Sequence, residues 1–333
     1  MAAKVHTAVI GVGYFGAFHA EKYARLERSD LVAVADIDRE RAEAVARRLA
    51  TTPVTDYRDL IGRVEAVSVV VPTPAHFEVA RDFLKSGVHV LVEKPITDEL
   101  EQADTLIRLA RAKNLALQVG HLERFGAARM AVDDYITAPL FIACDRIAPF
   151  KPRGTDVNVI LDLMIHDIEL IQNIVNHPVD RVDAIGAPVF SPQEDIANAR
   201  IRFTNGSVAN VTASRIGMKN ERKMRIFQPD AYISVDFIGK KLTVARKGKG
   251  FARPRIPAIQ VEERSFEEVD ELEKEVEAFL EAVVSRRPPL VTGEDGRRAL
   301  ETAMLINQSL RWRAEAAGRE SPDAAPEDAA TAP

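Results

Sequence analysis

The stretch Thr7-Ala8-Val9-Ile10-Gly11-Val12-Gly13-Tyr14-Phe15-Gly16 decides the fold. A short apolar run ends at a glycine, and two more glycines follow in G-x-G-x-x-G spacing where a helical pattern, Gly16–Leu26, begins. The first glycine permits a tight turn. The second lets the backbone approach a pyrophosphate, and the third lets helix and strand pack closely. The backbone from Gly11 through Gly13, Tyr14, Phe15 and Gly16 then offers N–H groups and a helix dipole to an anion. A second apolar run, Leu31–Ala35, is closed by Asp36, which stands 20 residues after Gly16. A carboxylate there hydrogen-bonds a ribose 2′-hydroxyl and repels a 2′-phosphate. The expected cofactor is therefore NAD rather than NADP, with Arg39 and Arg41 as the residues that would meet a 2′-phosphate. An ordinary α/β turn with a strand-terminal Asp is the plainer reading. The strand–glycine–helix–strand context favours the dinucleotide.

Working outward, Arg39–Leu49 reads as a helix and Ala66–Val71 as a strand halted by Pro72-Thr73-Pro74. His76–Ser86 is helical, and Val88–Val92 is a strand followed by Glu93-Lys94-Pro95. Asp98 suits the cap of a helix reaching Lys113, and Leu115–Val119 is the next strand. Such alternation implies right-handed crossovers and a parallel, doubly wound α/β sheet. Ligands in such sheets bind beyond the carboxyl ends of the strands. Pro72, Thr73, Pro74, Glu93, Lys94, Pro95 and His121 all follow strands, so they face one crevice. A lysine there can polarise a substrate oxygen. A solvated lysine ahead of a helix-breaking proline is the plainer alternative.

The pattern changes after residue 123. A helix near Ala127–Ile136, a strand Phe141–Ile147 and a basic loop Pro149–Asp156 precede a helical segment, Asn158–Val175. Alternating strands follow, from Val179–Ala184 to Lys240–Arg246, with Asn205-Gly206 as a hairpin signal. The run Arg246–Arg255 reads as a surface turn. Helices Asp270–Ser285 and Asp295–Arg313 close the chain. These features predict a Rossmann-type domain over 1–123, an α+β domain with a mostly antiparallel open sheet over 124–313, and a disordered Ala/Glu/Pro/Asp tail over 314–333.

The chain has 333 residues, 46% of them hydrophobic, enough for sizeable cores and too many for wholesale disorder. Its 45 basic and 50 acidic residues give a net charge of −5, which disfavours a basic nucleic-acid binder. The single cysteine, Cys144, excludes an intramolecular disulfide framework and a Cys-based zinc cluster, and it fits a reducing, cytoplasmic setting. No carboxylate–His spacing resembles a metal site. No apolar run is long enough to span a membrane. Lys4 and the apolar stretch Thr7–Phe18 imitate a signal peptide, but the three glycines explain that stretch better.

Asp162 and His166 are four apart, hence on one face of a helix and within reach of each other. A carboxylate can orient an imidazole that accepts a hydroxyl proton. The competing reading makes Asp162, His166, Glu169 and Asn173 the solvated stripe of an amphipathic helix.

Taken together, Gly11–Gly16, Asp36, Val71–His76 and Glu93-Lys94-Pro95 resemble the glucose–fructose oxidoreductase / inositol dehydrogenase / MocA family, over about residues 4–312. The resemblance implies a Rossmann domain and a C-terminal α/β domain whose open sheet makes a homodimer or homotetramer. It implies oxidation or reduction of sugars, inositols or nucleotide sugars with NAD(P). Cofactor contacts carry over to Gly11, Gly13, Tyr14, Phe15, Gly16, Asp36, Pro72, Thr73, His76, Glu93, Lys94 and Pro95. In the family the Glu-Lys-Pro peptide is commonly cis and its lysine lies in the active site. Leu161–Leu170 matches the family's Asp-x-x-x-His-Asp segment, which implies His166 as general base, Asp162 as its partner, Lys94 as the third catalytic residue and Asp167 as structural.

Gly120–Phe125 is similar to a branch acting on UDP-sugars, the UDP-N-acetylglucosamine 3-dehydrogenases, whose 3-keto product serves amide-linked lipid A precursors. The chain departs from that branch at Gly126-Ala127, where Asn-Pro is usual. This resemblance implies substrate contacts from His121 and Arg124. Arg146, Lys151 and Arg153 around the basic loop suit a diphosphate, or a solvated basic loop. A dehydrogenase of a free sugar or inositol, and a non-catalytic NAD-binding regulator, are the competing functions.

Overall fold

The computed structural model describes residues 4–151, 157–253 and 256–316. Two compact units divide the chain, Met1–Met130 with Glu268–Leu300, and Ala131–Glu267 with Glu301–Pro333.

The first unit opens with β1 (Val5–Ile10), α1 (Tyr14–Arg25), β2 (Ser29–Ala35), α2 (Arg39–Leu49) and β3 (Thr52–Val54). It continues with β4 (Ala66–Val69), α3 (Thr73–Lys85), β5 (His89–Glu93), α4 (Leu100–Lys113), β6 (Leu117–Gly120) and a short α5 (Ala127–Val132). The six strands are parallel in the order β3-β2-β1-β4-β5-β6. The strand order reverses between β1 and β4, and the crevice above that switch point is where such sheets hold ligands. Strands covered on both faces read as near-continuous apolar runs. Val9, Val34, Val67, Val69, Val90 and Leu91 are fully buried.

Local chemistry sets several boundaries. The Asp38 side chain caps α2 by accepting the Arg41 N–H at 3.1 Å. Helix α3 begins at Thr73, three residues before the expected His76, because Pro74 falls in the first turn, where its missing N–H costs nothing. Asp98 does not cap α4. Glu99 holds the N-cap position without a side-chain bond, and Thr97 Oγ1 donates to the Glu99 carbonyl at 2.7 Å. The edge strand β3 was not expected from sequence. It contains Pro53, which an edge tolerates because no ladder donor is needed there.

The second unit comprises β7 (Phe141–Ile147), a π-helical turn Ile160–Met164 running into α6 (Ile165–Val175), and β8 (Val179–Ala187), β9 (Ile196–Phe203), β10 (Val208–Ser214), β11 (Glu221–Phe227), β12 (Ala231–Asp236), β13 (Lys241–Arg253) and β14 (Ile256–Ser265). Its eight-stranded sheet runs β14-β13-β12-β11-β7-β10-β9-β8, antiparallel except for the β7–β10 pair. Alternation is plain in β9, where Ala197, Ala199, Ile201 and Phe203 are buried while Asn198, Arg200 and Arg202 are exposed. The segment Arg246–Arg255 is not a surface turn. Over its described part β13 runs on to Arg253, with a register shift after Lys247, and pairs with the edge strand β14; charged and glycine-rich residues hide the strand pattern.

The chain then returns to the first unit. Helix α7 (Glu271–Ser285) is capped by the Asp270 side chain on the Glu273 N–H at 3.0 Å. Its apolar face, Leu272, Val276, Phe279 and Leu280, enters the core built from Val9, Tyr23 and Leu91. Residues 268–300 therefore do not belong to one domain with 124–267, as the sequence pattern suggested. The amphipathic face of α7 finds its apolar partner on the Rossmann unit. Helix α8 (Gly293–Ala316) runs past the expected end, since Ala314-Glu315-Ala316 are strong helix formers. The remainder of the expected tail lies outside the described residues.

Candidate active site

In the Rossmann unit the glycine turn has the geometry its sequence demanded. Gly11 has φ of +84°, and a Cβ there would sit 2.7 Å from the Val70 carbonyl oxygen. A Cβ on Gly16 would lie 1.8 Å from the Gly11 carbonyl oxygen. Gly13 differs. Nothing lies within 4 Å of its would-be Cβ, so its missing side chain opens space instead of relieving a packed contact. Gly13 is also the N-cap of α1 and supplies no side-chain cap, which leaves the first turn to an external acceptor. The turn fits a pyrophosphate. Tyr14 is exposed beside it, and Phe15 packs edge-on against His19 at 5.1 Å between ring centroids.

Asp36 ends β2 with its carboxylate turned toward that turn. One oxygen accepts the Val12 N–H at 2.9 Å, the other the Asp38 N–H at 3.0 Å. The Arg41 guanidinium contacts both oxygens, at 3.2 and 3.3 Å. Sequence reading named Arg41 only as a possible phosphate partner. Its partners here are Asp36 and Asp38, the latter at 3.1 Å. Ile37, the residue after Asp36, is 94% exposed.

Pro72 and Thr73 open α3 at the carboxyl end of β4. His76 is buried, with Nδ1 2.8 Å from the Pro95 carbonyl oxygen and Nε2 2.9 Å from that of Val71. Burial pushes its pKa down. The ring lies between the turn after β4 and the turn after β5 and, as a neutral imidazole, donates its one N–H to one of these two carbonyls.

The Lys94–Pro95 peptide is cis. Lys94 is half-buried, and its N–H donates to the Glu93 carboxylate at 3.2 Å. His121 is buried, and its pKa is lowered to about 3, first by burial and then by the Lys94 charge. It is thus a neutral imidazole beside a cation. Arg124, in the 3₁₀ turn Leu122–Phe125, is buried, and one N–H reaches the Leu290 carbonyl at 3.4 Å.

In the second unit Asn158 starts the helical segment. Its Oδ1 accepts the Leu161 N–H at 3.2 Å, its carbonyl accepts the Asp162 N–H at 3.1 Å, and its Nδ2 donates to Asn307 at 2.9 Å. Asp162 lies in the π-turn and His166 in the first turn of α6, both half-buried. Irregular turns of this kind recur at functional sites. The solvated-stripe alternative fails, because Glu169 is buried and α6 is enclosed nearly all round. Asp167 is fully buried and receives a bidentate pair from Arg146, at 2.7 and 2.8 Å. That pairing engages Arg146, which sequence reading had set beside the diphosphate. Lys151 is exposed, and Arg153 lies outside the described residues. Cys144 is buried and burial pushes its thiol pKa up, so it is packing, not a nucleophile.

The profile of an oxidoreductase family with an NAD-binding Rossmann fold matches residues 5–121, and that of the Gfo/Idh/MocA C-terminal domain matches residues 125–234. The chain belongs to the Gfo/Idh/MocA oxidoreductase family. A UDP-N-acetylglucosamine 3-dehydrogenase of Acidithiobacillus ferrooxidans is 41% identical over 308 residues, 92% of this chain and 97% of that protein. A crystal form of that enzyme superposes with a TM-score of 0.88 at 39% identity, covering 93% of this chain and 98% of that one. More distant members share the fold. A myo-inositol 2-dehydrogenase of Thermotoga maritima is 26% identical over 91% of this chain and 95% of its own. A scyllo-inositol dehydrogenase from Lactobacillus casei with bound NAD(H) and scyllo-inositol has a TM-score of 0.77 at 19% identity, covering 93% and 98%.

Proposed function

We propose that this family member is an NAD-dependent UDP-sugar dehydrogenase that oxidises the position-3 hydroxyl of UDP-N-acetylglucosamine to the 3-keto sugar. The observation that carries the reading is the 41% identity, over nearly the whole of both chains, to an enzyme of that activity. Bound NAD supplies the hydride acceptor. The glycine turn holds the pyrophosphate, and Asp36 holds the adenosine ribose. His166 takes the hydroxyl proton of the sugar, and Asp162 orients the imidazole and stabilises it once protonated. Lys94 polarises the reacting oxygen. His121, kept neutral beside Lys94, accepts or donates a hydrogen bond to the sugar without adding a second positive charge. Arg124, Lys151 and Arg153 complete the substrate contacts in this reading.

The preference for NAD over NADP rests on the Asp36 carboxylate. The enzyme works in the cytoplasm as a homodimer or homotetramer joined through the second unit's sheet, and its product feeds lipid A synthesis. A free cysteine and the family's open sheet support these points. Among the described residues no helix is long and apolar enough to cross a membrane. The test compares initial rates of NADH formation with UDP-N-acetylglucosamine, myo-inositol and glucose. The reading expects turnover with the nucleotide sugar well above both others. Absence of NADH formation with any nucleotide sugar overturns it, and turnover with inositol or glucose alone moves the enzyme to the free-sugar branch.

A further inference from the structure

Behind Lys94, inside the Rossmann unit, lies a buried polar cluster in which His19 and Glu275 have no part in the proposed chemistry. His19 on α1, Glu93 at the end of β5 and Glu275 on α7 are all buried, and an imidazole nitrogen and one carboxylate oxygen from each glutamate lie within 4.8 Å of one another. His19 Nε2 is 3.1 Å from Glu93 Oε1, and His19 Nδ1 is 3.3 Å from Ser68 Oγ. The Tyr23 hydroxyl is 2.8 Å from Ser68 Oγ. The other Glu93 oxygen accepts the Lys94 N–H at 3.2 Å. The would-be Cβ of Gly120 lies 2.5 Å from Glu93 Oε1, so Glu93 is also clamped from the β6 side. Glu275 has no exposed surface, and neither of its carboxyl oxygens has a hydrogen-bond partner. The Gln118 side chain fixes only its backbone, donating to the Glu275 carbonyl at 3.1 Å.

Proton bookkeeping orders this cluster. A hydroxyl donates once, and a neutral imidazole has one N–H and one lone pair. If Tyr23 donates to Ser68, then Ser68 donates to His19 Nδ1, and the Nε2–H of His19 donates to Glu93. Every proton finds an acceptor. For a neutral ring the reverse order strands the buried Tyr23 O–H and turns the Nε2 lone pair onto a carboxylate, and a doubly protonated ring likewise puts its Nε2–H on Glu93. Glu275 faces Glu93, and the one nearby group that could carry a positive charge, His19, spends its Nε2 on Glu93, while neither Glu275 oxygen has a partner. A second buried carboxylate charge there would lack a counter-ion of its own.

We propose that Glu275 is a carboxylic acid in the working enzyme, sharing its proton with the Glu93 carboxylate, and that this bond completes a buried chain Tyr23–Ser68–His19–Glu93–Glu275 that positions the Glu93-Lys94 turn. Glu275 is a positioning residue in this arrangement, acting on Lys94 through Glu93. Burial pushes its pKa well up, and the Glu93 charge and Glu271 act in the same sense. Burial likewise keeps Tyr23 a protonated phenol. The titratable groups facing Glu275 are Glu93 from β5, His19 and Tyr23 from α1, and Glu271 from its own helix.

The test is the pH dependence of unfolding for the full chain and for Glu275→Gln, by equilibrium denaturation from about pH 5 to about pH 7. An acid whose folded pKa is raised binds its proton more tightly when folded. Its stabilising effect is complete below the unfolded value near 4.3 and drains away as pH rises toward the folded value. The unfolding constant of the wild type should therefore rise relative to that of Glu275→Gln by roughly tenfold per pH unit. A ratio independent of pH overturns the proposal. Infrared spectroscopy supplies a second measurement. A protonated-carboxyl C=O band at neutral pH that vanishes in Glu275→Gln supports it, and absence of that band in the wild type refutes it. One tightly bound metal per chain, lost in Glu275→Gln, would also refute it by showing the trio to be an ionised ligand set. The activity arm rests on the reading of Lys94 given above. Glu275→Leu should lower kcat about tenfold or more with the Km for NAD held, and Glu275→Gln should recover most of that loss. The unfolding and infrared measurements do not depend on the substrate, so they can fail or succeed independently of the proposed function.

Discussion

Replacing Asp36 with Ser tests the cofactor site at its most informative atom. In the structure the carboxylate does two jobs that the substitution separates. It accepts two backbone N–H groups, from Val12 and Asp38, and it holds the Arg41 guanidinium. In the proposed complex it also accepts the ribose hydroxyl. A hydrogen bond to a charged acceptor is worth about 1.5–3 kcal/mol. At about 1.4 kcal/mol per decade, losing it lowers kcat/Km for NAD roughly 10- to 100-fold. The consequence for NADP has the opposite sign. The repelling charge is gone, and Arg41, left with Asp38 alone at 3.1 Å, is freed to turn toward a 2′-phosphate. Kcat/Km for NADP should rise, and Asp36→Ser/Arg41→Ala should lose that rise. Initial rates with both cofactors at saturating sugar read this directly. If Asp36→Ser lowers both cofactors by the same factor, the carboxylate merely braces the glycine turn through Val12, and the discrimination argument is wrong.

Lys94→Ala and His166→Ala should each cut turnover by about 10²- to 10⁴-fold while NAD affinity, followed by fluorescence, changes little. Retained turnover in both variants would remove the catalytic assignment. Asp195 offers a stability prediction in the second unit. Its carboxylate accepts N–H bonds from Val189, Phe190 and Ser191 and the Arg215 Nε at 2.7 Å, which hold its pKa down against the opposing effect of burial. A depressed carboxyl stabilises the fold above its unfolded pKa near 3.9 and loses that contribution as pH falls toward the folded value. Thermal melts of Asp195→Asn should therefore lie below wild type at neutral pH, with the gap closing in acid. A constant gap would mean that shape, not charge, carries the effect. Asp195→Ala should cost about 3 kcal/mol or more, because three backbone donors lose their acceptor.

The Rossmann half was legible because its signals are local. Gly11 and Gly16 are demanded by close backbone contacts, Gly13 leaves open space at the helix start, and the central strands are largely apolar runs closed by a glycine, proline or acid, whereas the short edge strand β3 carries no such signal. What escaped sequence reading was set by distant partners. Nothing in the pattern Glu271–Glu277 distinguishes Glu275 from the three other glutamates of that stretch. Its neighbours Glu93 and His19 are 182 and 256 residues away, and only the packing of α7 on α1 reveals it. The β13–β14 hairpin failed for the opposite reason. Its residues are locally turn-like, and the pairing across the edge of a large sheet overrides that preference.

The segment Asn158–Val175 shows where a correct residue assignment can rest on an incomplete geometry. Spacing of four makes Asp162 and His166 neighbours on an α-helix. The structure places Asp162 instead in a π-turn whose closing bond runs from the Ile165 N–H to the Ile160 carbonyl. A π-turn carries an extra residue, so it rotates Asp162 relative to the buried face that Ile165 and Ile168 present. Two devices hold this irregular turn. Asn158 pins its start with both side-chain atoms, and the Arg146–Asp167 pair locks the residue after His166 to β7. Asp167 is therefore next to the proposed base yet contributes by fixing backbone, since both its oxygens are taken by one guanidinium. A buried ion pair is a poor source of net stability but costs several kcal/mol when only one partner is removed. The pair thus fixes the backbone that carries the proposed base, a role in position more than in net stability.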